Sequence, residues 1–221
     1  MKEMTVEEMY DLNETIAADL FSDITYPWEA LPKIKDYIVQ LGLSLPKDIF
    51  DEVSEHVWVA KSAHVFDSAY LGAPCIIDED AEVRHCAFIR GSAIVGKGAV
   101  VGNSTELKNV VLFNKVQVPH YNYVGDSILG FKAHMGAGSI TSNVKSDKTL
   151  VTVKSSLGNI ETGYKKFGAM LGDNVEVGCN SVLNPGTVIG RGSSIYPTSS
   201  VRGHIPEGSI FKSAEEIVKR T

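Results

Sequence analysis

A six-residue repeat dominates the sequence from residue 59 onward. Aliphatic residues recur at a spacing of six in nine consecutive places, namely Val59, Val65, Leu71, Ile77, Val83, Ile89, Val95, Val101 and Leu107. Small residues, mostly alanine, occur four positions after each of the first eight. Neither the 3.6-residue period of a helix nor the alternation of one long strand explains this spacing. It predicts an all-β solenoid, in which three hexads close one triangular coil of a parallel β-helix and the aliphatic residues point inward.

The repeat slips by one residue twice, at Leu112 and Leu129, and then stops until Leu171. We therefore expect a β-helix over residues 51–210 that is interrupted by an excursion at residues 141–166. A segment of that length without repeat register usually has a function. The apolar–polar alternation of Leu150, Thr152 and Lys154 predicts that it folds as a hairpin. An ordinary β-sandwich, the alternative, requires irregular strand spacings of roughly 8–12 residues.

Helical patterns flank the repeat. In residues 1–50, Thr5 and Glu8 have the spacing of a capping box, and apolar residues follow on one helical face, at Met9, Leu12, Ile16 and Leu20. A second helix is expected in the segment PWEALPKIKDYIVQLG, ending at Gly42. We expect this N-terminal helical cap to cover the open first coil, where backbone groups lack partners. Residues 211–221 are expected to form a short closing helix.

Composition limits the function. The net charge of −6 argues against a nucleic-acid-binding surface. No apolar run reaches the roughly 18 residues of a membrane span, so no membrane association is expected. The three cysteines have no CxxC spacing, which is typical of plain thiols in a reducing compartment. We interpret the chain as soluble and cytoplasmic.

Two cations occupy equivalent places in neighbouring coils. Arg90 and Lys108 are 18 residues apart, and each follows an inward aliphatic residue. Eighteen residues make one coil and stacked strands lie about 4.8 Å apart, so the two side chains should project from the same edge. At that distance they repel by roughly 3 kcal/mol at an effective dielectric of 20. The pair therefore suits an anion such as phosphate, although a solvated surface pair that splays apart has the same spacing.

His120 lies where the repeat slips, in the stretch VPHYNYVGDS. Imidazole is the side chain most often used as a general base, and histidines in solenoids are also often structural. A zinc site is a further alternative, because His85 and His120 are 35 residues apart, close to two coils. Zinc enzymes with this repeat need a third histidine soon after the second, yet none follows before His134. We expect no metal.

Two stretches, HYNYVGDSILGFKAHMGAGSITSN and KKFGAMLGDNVEVGCNSVLNPGTVIG, carry a resemblance to a known family. They resemble the acetyltransferase domain of the bifunctional N-acetylglucosamine-1-phosphate uridyltransferase/glucosamine-1-phosphate acetyltransferase. They resemble even more the archaeal-type sugar-phosphate nucleotidyltransferases with the same domain. The resemblance covers roughly residues 55–210. It implies a left-handed β-helix, a homotrimer, acetyl-CoA as co-substrate and a sugar phosphate as acceptor.

The resemblance also implies roles for individual residues. The family's phosphate-binding cations match Arg90, Lys108 and Lys166, and its catalytic base matches His120. Its substrate-binding tyrosine and asparagine match Tyr123 and Asn143. The alanine beside coenzyme A matches Ala137, and a serine near coenzyme A corresponds to Cys179.

Some positions depart from the family pattern. Val144 replaces a tyrosine, and His134 replaces an asparagine of the site. The 50 residues before the repeat are too few for a nucleotidyltransferase domain, so we expect no uridyl transfer. The resulting hypothesis is an N-acetyltransferase acting on an amino-sugar 1-phosphate, most simply glucosamine 1-phosphate. An acyltransferase acting on a nucleotide-linked amino sugar and a non-catalytic sugar-phosphate-binding subunit remain as alternatives.

Overall fold

The structure is a computed structural model that describes residues 1–156 and 158–220. Its N-terminal segment contains the helices α1 (Val6–Met9) and α2 (Ile34–Ser44) and the 3-10 turns Lys2–Met4, Leu12–Glu14, Ala18–Phe21 and Pro27–Ala30. The remainder consists of short strands.

The first strands are β1 (Phe50–Ser54), β2 (Val57–Ala60), β3 (His64–Val65), β4 (Tyr70–Leu71), β5 (Cys75–Ile77), β6 (Glu82–Val83), β7 (Phe88–Ile89), β8 (Ala93–Val95) and β9 (Val100–Asn103). The central strands are β10 (Glu106–Leu112), β11 (Gln117–His120), β12 (Tyr123–Leu129), β13 (His134–Met135), β14 (Ile140–Thr141), β15 (Thr152–Val153) and β16 (Ile160–Glu161). The last strands are β17 (Ala169–Leu171), β18 (Glu176–Val177), β19 (Val182–Leu183), β20 (Thr187–Ile189), β21 (Ser194–Ile195), β22 (Ser200–Val201), β23 (His204–Ile205), β24 (Ser209–Ser213) and β25 (Glu216–Lys219).

These strands form the three walls of a triangular solenoid. The first wall pairs β4, β7, β10, β12, β14, β19 and β22 in parallel. The second wall pairs β2, β5, β8, β10, β12, β17, β20 and β23. The third wall pairs β3, β6, β9, β11, β13, β18, β21 and β24. Because β10 and β12 continue around a corner, each belongs to both the first wall and the second.

The inward positions of the repeat are as predicted. Ile77, Val83, Ile89 and Leu107 are fully buried. Val65, in the first coil, is only partly buried because no complete coil precedes it. Fully burying one such aliphatic side chain contributes roughly 1.5–3 kcal/mol, so every inward position adds to the stability of the solenoid.

The N-terminal segment packs on the flank of the second wall, not on the end of the solenoid as expected. The second-wall strands have an apolar residue facing outward as well as inward, and these outward residues are fully buried: Ile76, Ile94, Val111, Ile128, Met170 and Val188. Helix α2 contacts β5, β8 and β10. Further along, the Asp11 N–H donates to Asp173 Oδ2 over 2.8 Å. The segment lies there because the second wall is apolar on both faces, as in covered parallel sheets.

The first predicted helix is broken. Helix α1 ends at Met9, and Thr5 makes no side-chain capping bond. The reason is a competing turn, in which Asp11 Oδ1 accepts from the Asn13 backbone N–H over 3.0 Å. The second predicted helix forms as α2, but it begins at Ile34, after the separate 3-10 turn Pro27–Ala30, and Gly42 does not end it. A Cβ at Gly42 would lie 2.3 Å from the Trp58 ring, so close packing explains this glycine.

The C-terminal helix predicted for residues 211–221 is wrong. Strands β24 and β25 form an antiparallel hairpin instead, and Thr221 lies outside the described residues. The chain folds back so that the last wall strand keeps a hydrogen-bonded neighbour. Lys212 and Glu216 form an ion pair across this turn.

The excursion leaves the first wall after β14 and returns at β17. Its strands β15 and β16 pair antiparallel, which confirms the predicted hairpin, and Leu157 lies outside the described residues. No helix in the described part of the chain is both long enough and apolar enough to cross a membrane.

Candidate active site

Arg90 and Lys108 lie on adjacent coils at the corner between the first and second walls, as the 18-residue spacing predicts. Ile89 pairs with Leu107 in the β7–β10 ladder. The Arg90 N–H donates to the Leu107 carbonyl over 2.9 Å. We call the corner formed by Arg90, Lys108, Asp126 and Asn143 the site corner.

Each of the two cations has a carboxylate partner, which the sequence analysis did not anticipate. Arg90 Nη1 lies 2.8 Å from Glu106 Oε1, and both side chains are part-exposed. Lys108 Nζ lies 2.9 Å from Asp126 Oδ1, a more buried pair. These carboxylates offset the repulsion between the cations. A bound anion would therefore share the cations with Glu106 and Asp126.

Asp126 organises the site corner. Only 3% of this residue is exposed. Its Oδ1 accepts from Lys108 Nζ over 2.9 Å and from Asn109 Nδ2 over 3.0 Å, and its Oδ2 accepts from Asn143 Nδ2 over 2.5 Å. Its φ of 49° lies in the left-handed region, which aspartate tolerates better than most residues. The Asp126 carbonyl accepts from the Gly168 N–H over 2.8 Å, so the corner is tied to the end of the excursion.

Tyr123 and Asn143 face each other at this corner. Asn143 Nδ2 donates to the Tyr123 hydroxyl oxygen over 3.2 Å, so the phenol proton stays available to a ligand. Burial, with a smaller effect of the Asp126 charge, raises the pKa of Tyr123 above its ordinary value. The phenol is therefore neutral and a hydrogen-bond donor near pH 7.

The excursion brings further cations to the site corner. Its two ends meet where the Phe167 N–H donates to the Asn143 carbonyl over 2.9 Å. Lys165 and Lys166 precede this point and are exposed. They line a shallow cavity of about 300 Å³ together with Asn109, Asp126, Tyr164, Leu31 and Pro32. Lys166, for which the resemblance implies a role as a phosphate ligand, thus lines the same cavity as the buried Asp126.

His120, Ala137 and Cys179 lie at a different corner, between the third and first walls. The His120 carbonyl accepts from the Gly138 N–H over 3.0 Å, and the Ala137 carbonyl from the Asn180 N–H over 2.8 Å. His120 and Cys179 are exposed, and Ala137 is half-buried. The three residues therefore occupy successive coils along one edge, which we call the His120 corner.

The structure separates His120 from the site corner along the chain. Two residues, Tyr121 and Asn122, lie between His120 and Tyr123, and they form a turn in which Tyr121 has a left-handed φ of 52°. Within residues 1–156 and 158–220, the His120 imidazole has no hydrogen bond or ion pair. The turn itself is held by the buried Asn122, whose Oδ1 accepts from the His120 N–H over 3.1 Å and whose Nδ2 donates to the Gly136 carbonyl over 2.9 Å. The two corners flank the same narrow first wall.

The departures from the family pattern fall in two places. His134 lies on the third wall, where its Nδ1 is 2.8 Å from Glu176 Oε2, away from the site corner. Val144 is exposed beside Asn143.

His85 belongs to the zinc alternative, and its Nδ1 is 3.2 Å from Ser68 Oγ. Among the described residues, no three His, Cys, Asp or Glu side chains are grouped so that they could hold a metal ion.

Sequence reasoning missed Glu106, Asn109, Asn122 and Asp126 as site residues. A usable signal existed for Asp126, which lies 18 residues after Lys108, the same spacing that links Lys108 to Arg90. No comparable signal marks Glu106, because it is not 18 residues from Arg90. Glu106 pairs with Phe88 in the β7–β10 ladder and reaches Arg90 from the next coil.

Comparison with known proteins assigns the repeat region to a described family. Residues 71–189, more than half of the chain, match the protein family described as the GMPPB C-terminal domain. The bifunctional protein GlmU of Methanococcus vannielii is 30% identical over 203 residues, which cover 90% of this chain and 49% of that protein. A bifunctional sugar-1-phosphate nucleotidylyltransferase/acetyltransferase of Sulfurisphaera tokodaii is 31% identical over 167 residues, or 67% of this chain and 42% of that protein. The chain thus spans about half the length of these relatives.

Among solved structures, the polySia-specific acetyltransferase NeuO superposes with a TM-score of 0.50 at 16% identity. The match covers 72% of this chain and 80% of that one. At this identity the likeness concerns the fold alone. The fold is a left-handed parallel β-helix of hexapeptide repeats, as the resemblance predicted.

Proposed function

We propose that this chain, which belongs to the GMPPB C-terminal domain family, is an acetyl-CoA-dependent N-acetyltransferase acting on an amino-sugar 1-phosphate. Glucosamine 1-phosphate is the simplest acceptor. The names of the archaeal relatives, which include a sugar-1-phosphate nucleotidylyltransferase/acetyltransferase, support this class of substrate. The observation that carries the proposal is the site corner, where cations for a phosphate lie beside the hydrogen-bonding groups of Tyr123 and Asn143.

Arg90, Lys108 and Lys166 bind the phosphate in this proposal. The Arg90–Glu106 ion pair is part-exposed, and such pairs contribute only about 0–1 kcal/mol, so a phosphate can replace Glu106 at little cost. Lys108 gives one of its three N–H donors to Asp126, which leaves donors for a ligand. Tyr123 and Asn143 orient the sugar and the acetyl group.

His120 acts as the general base. It takes a proton from the sugar amine as the amine nitrogen forms a bond to the thioester carbonyl carbon. The carbon–sulfur bond then breaks and coenzyme A leaves as a thiolate. Acetyl-CoA lies along the His120 corner beside Ala137 and Cys179, where the small side chains leave room. Backbone N–H groups near Ala137 stabilise the tetrahedral oxyanion, and fixed orientation supplies several kcal/mol of barrier reduction.

The acceptor lies across the first wall, with its phosphate at the site corner and its amine toward His120. We further propose a homotrimer that works in the cytoplasm, where the free cysteines remain reduced.

A nucleotide-linked amino sugar is the second candidate acceptor. Arg90, Lys108, Lys165 and Lys166 gather four cations around one corner, enough for a diphosphate. Tight coenzyme binding without turnover on simple sugar phosphates would favour this candidate. A chain that binds sugar phosphate but no acetyl-CoA would favour a non-catalytic subunit.

The first experiment follows coenzyme A release with a thiol reagent after acetyl-CoA and glucosamine 1-phosphate are mixed. We expect turnover that is lost in His120→Ala, through kcat with little change in sugar affinity, and retained in His85→Ala. His85 is the matched control because it is an exposed histidine at the same corner, two coils away. Full activity of His120→Ala would remove the base assignment.

A second variant tests the phosphate site. Arg90→Ala should raise KM for the sugar phosphate, because the guanidinium contacts the phosphate in the ground state and in the transition state alike. Arg84→Ala is the control, because Arg84 forms a similarly exposed pair with Glu82, at 2.9 Å. An unchanged KM in Arg90→Ala would contradict the phosphate assignment.

A further inference from the structure

A second cationic cavity lies where the excursion folds against the last coils. It has a volume of about 350 Å³. Its charged lining consists of three cations, Lys145, Lys154 and Arg202, and one carboxylate, Asp147. The carboxylate is already engaged, because Asp147 Oδ1 accepts from the Thr149 N–H over 3.0 Å and its Oδ2 lies 3.5 Å from Lys145 Nζ. The cavity is thus locally positive in a chain whose net charge is −6.

Backbone contacts hold Lys154 and Arg202 next to each other. The Lys154 carbonyl accepts from the His204 N–H over 2.7 Å. A Cβ at Gly203 would lie 2.5 Å from the Lys154 carbonyl oxygen, so only glycine allows this approach. Among residues 1–156 and 158–220, neither cation has a carboxylate within 4.0 Å. They differ in this respect from Arg90 and Lys108, which are both paired with carboxylates.

The coil register relates this cavity to the site corner. The Ser142 N–H donates to the Leu183 carbonyl over 2.8 Å, and the Asn184 N–H donates to the Val201 carbonyl over 2.9 Å. Ser142, Asn184 and Arg202 therefore follow one another at the same corner on successive coils. Two steps of about 4.8 Å place Arg202 roughly 10 Å from Ser142, whose neighbour is Asn143.

We propose that this cavity binds a phosphate or diphosphate group at the far end of an extended substrate. The position of the rest of the substrate, across the site corner beside Asn143, rests on the proposed function, whereas the anion site rests on Lys154 and Arg202, which have no carboxylate partner among the described residues. Phosphate chemistry is favoured because two adjacent cations without a carboxylate partner among the described residues match a doubly charged anion, and the lining also contains the hydroxyls of Ser142 and Ser146. The phosphates of coenzyme A and the diphosphate of a nucleotide-linked sugar share this chemistry.

The test compares two double variants by titration calorimetry with inorganic pyrophosphate. Lys154→Gln/Arg202→Gln removes the two unpaired cations. Lys148→Gln/Lys219→Gln removes the same charge from exposed positions that do not line the cavity. Both double variants, and the reference protein, carry Arg90→Ala, so that anion binding at the site corner does not mask the loss.

We expect pyrophosphate to bind at least about tenfold more weakly to the cavity variant, or 1.4 kcal/mol, and unchanged to the control. The difference should shrink at high salt. Equal affinities in the two double variants, or no pyrophosphate binding by the reference protein, would overturn the proposal.

Two further titrations identify the source of the phosphate. A selective loss of coenzyme A affinity in the cavity variant assigns the site to coenzyme A. A selective loss of uridine diphosphate affinity assigns it to a nucleotide-linked acceptor. These readouts do not require turnover. If pyrophosphate binding depends on the cavity but the wild-type chain transfers no acetyl group, the proposed function is rejected and this site is kept. If the wild-type chain turns over but pyrophosphate binding does not depend on the cavity, this site alone is rejected.

Discussion

Replacing Asp126 by asparagine tests whether this carboxylate holds the site corner together. Asparagine has nearly the same shape as aspartate and tolerates the left-handed backbone at φ 49° equally well. The substitution therefore changes the charge and one hydrogen-bonding atom while leaving the turn unstrained. Alanine at this position would add backbone strain of about 1–2 kcal/mol and confuse the interpretation.

The expected loss follows from the three bonds to the Asp126 carboxylate. With asparagine, one NH₂ group must face a donor, either Asn143 Nδ2 or the Lys108 and Asn109 donors. A hydrogen bond to a charged group contributes about 1.5–3 kcal/mol, and a buried donor without an acceptor costs about 1–3 kcal/mol. Because the Lys108 side chain is 27% exposed, water recovers part of this. We expect the free energy of unfolding to fall by about 2–4 kcal/mol.

Urea unfolding measures this loss, with Asp80→Asn as the matched control. Asp80 also has a left-handed backbone, at φ 56°, but it is exposed and its carboxylate has no ion pair among the described residues. The control should change the free energy of unfolding by less than about 0.5 kcal/mol. If Asp126→Asn lost no more than Asp80→Asn, the interpretation of Asp126 as the organiser of the corner would be refuted.

A double-mutant cycle with Lys108→Met separates the ion pair from the rest of the effect. If the two side chains interact as the 2.9 Å contact indicates, the double variant should lose less than the sum of the single variants. The coupling should be about 1 kcal/mol or more. Strict additivity would mean that Asp126 acts through its two asparagine partners alone.

Two further predictions concern positions outside the site corner. Burial, only partly offset by the charge of Glu3, lowers the pKa of His204 below its ordinary value of 6.5, so the folded state resists its protonation. The stability that neutral His204 contributes is present above pH 6.5 and falls as the pH decreases toward the lower folded pKa. Between about pH 7.5 and about pH 5.5, the free energy of unfolding of His204→Gln should therefore fall by less than that of the wild type. The control His64→Gln, at an exposed histidine, should fall by as much as the wild type. Gly42→Ala should cost about 1–3 kcal/mol in urea unfolding despite the better helix propensity of alanine, because its Cβ would lie 2.3 Å from Trp58. A neutral or stabilising effect would contradict this packing explanation.

The hexad pattern was sufficient to predict the solenoid because one inward aliphatic residue per strand leaves a visible period. It failed to predict where the N-terminal segment packs. The information was present in the second-wall strands, such as Cys75–Ile77 and Ala93–Val95, which are three-residue apolar runs that are buried throughout. A wall that is apolar on both faces must be covered, so these runs indicate a partner along the flank. The terminal hairpin could not be predicted, because its pairing depends on which strand is left at the edge.

In the candidate site, spacing predicted which cations share a corner but not what neutralises them. Arg90 and Lys108 are related by one coil, and the coil is a property of the sequence alone. The carboxylates that pair with them come from other positions, and a side chain's direction at a corner depends on the backbone turn there. Asp126 shows the difference, because its left-handed φ turns the carboxylate toward Asn109 and Asn143.

The corners of this solenoid combine structural and chemical roles in the same residues. A coil must turn sharply at each corner, and residues that tolerate a left-handed backbone, such as Asn109 and Asp126, are favoured there on conformational grounds. The Asp126 side chain also holds Lys108 and Asn143 in place, and Asn109 donates to the same carboxylate. The corner also stacks equivalent positions about 4.8 Å apart, so a change at one coil alters the charge environment of the next. The polar geometry of a site built in this way is therefore determined by the backbone turn.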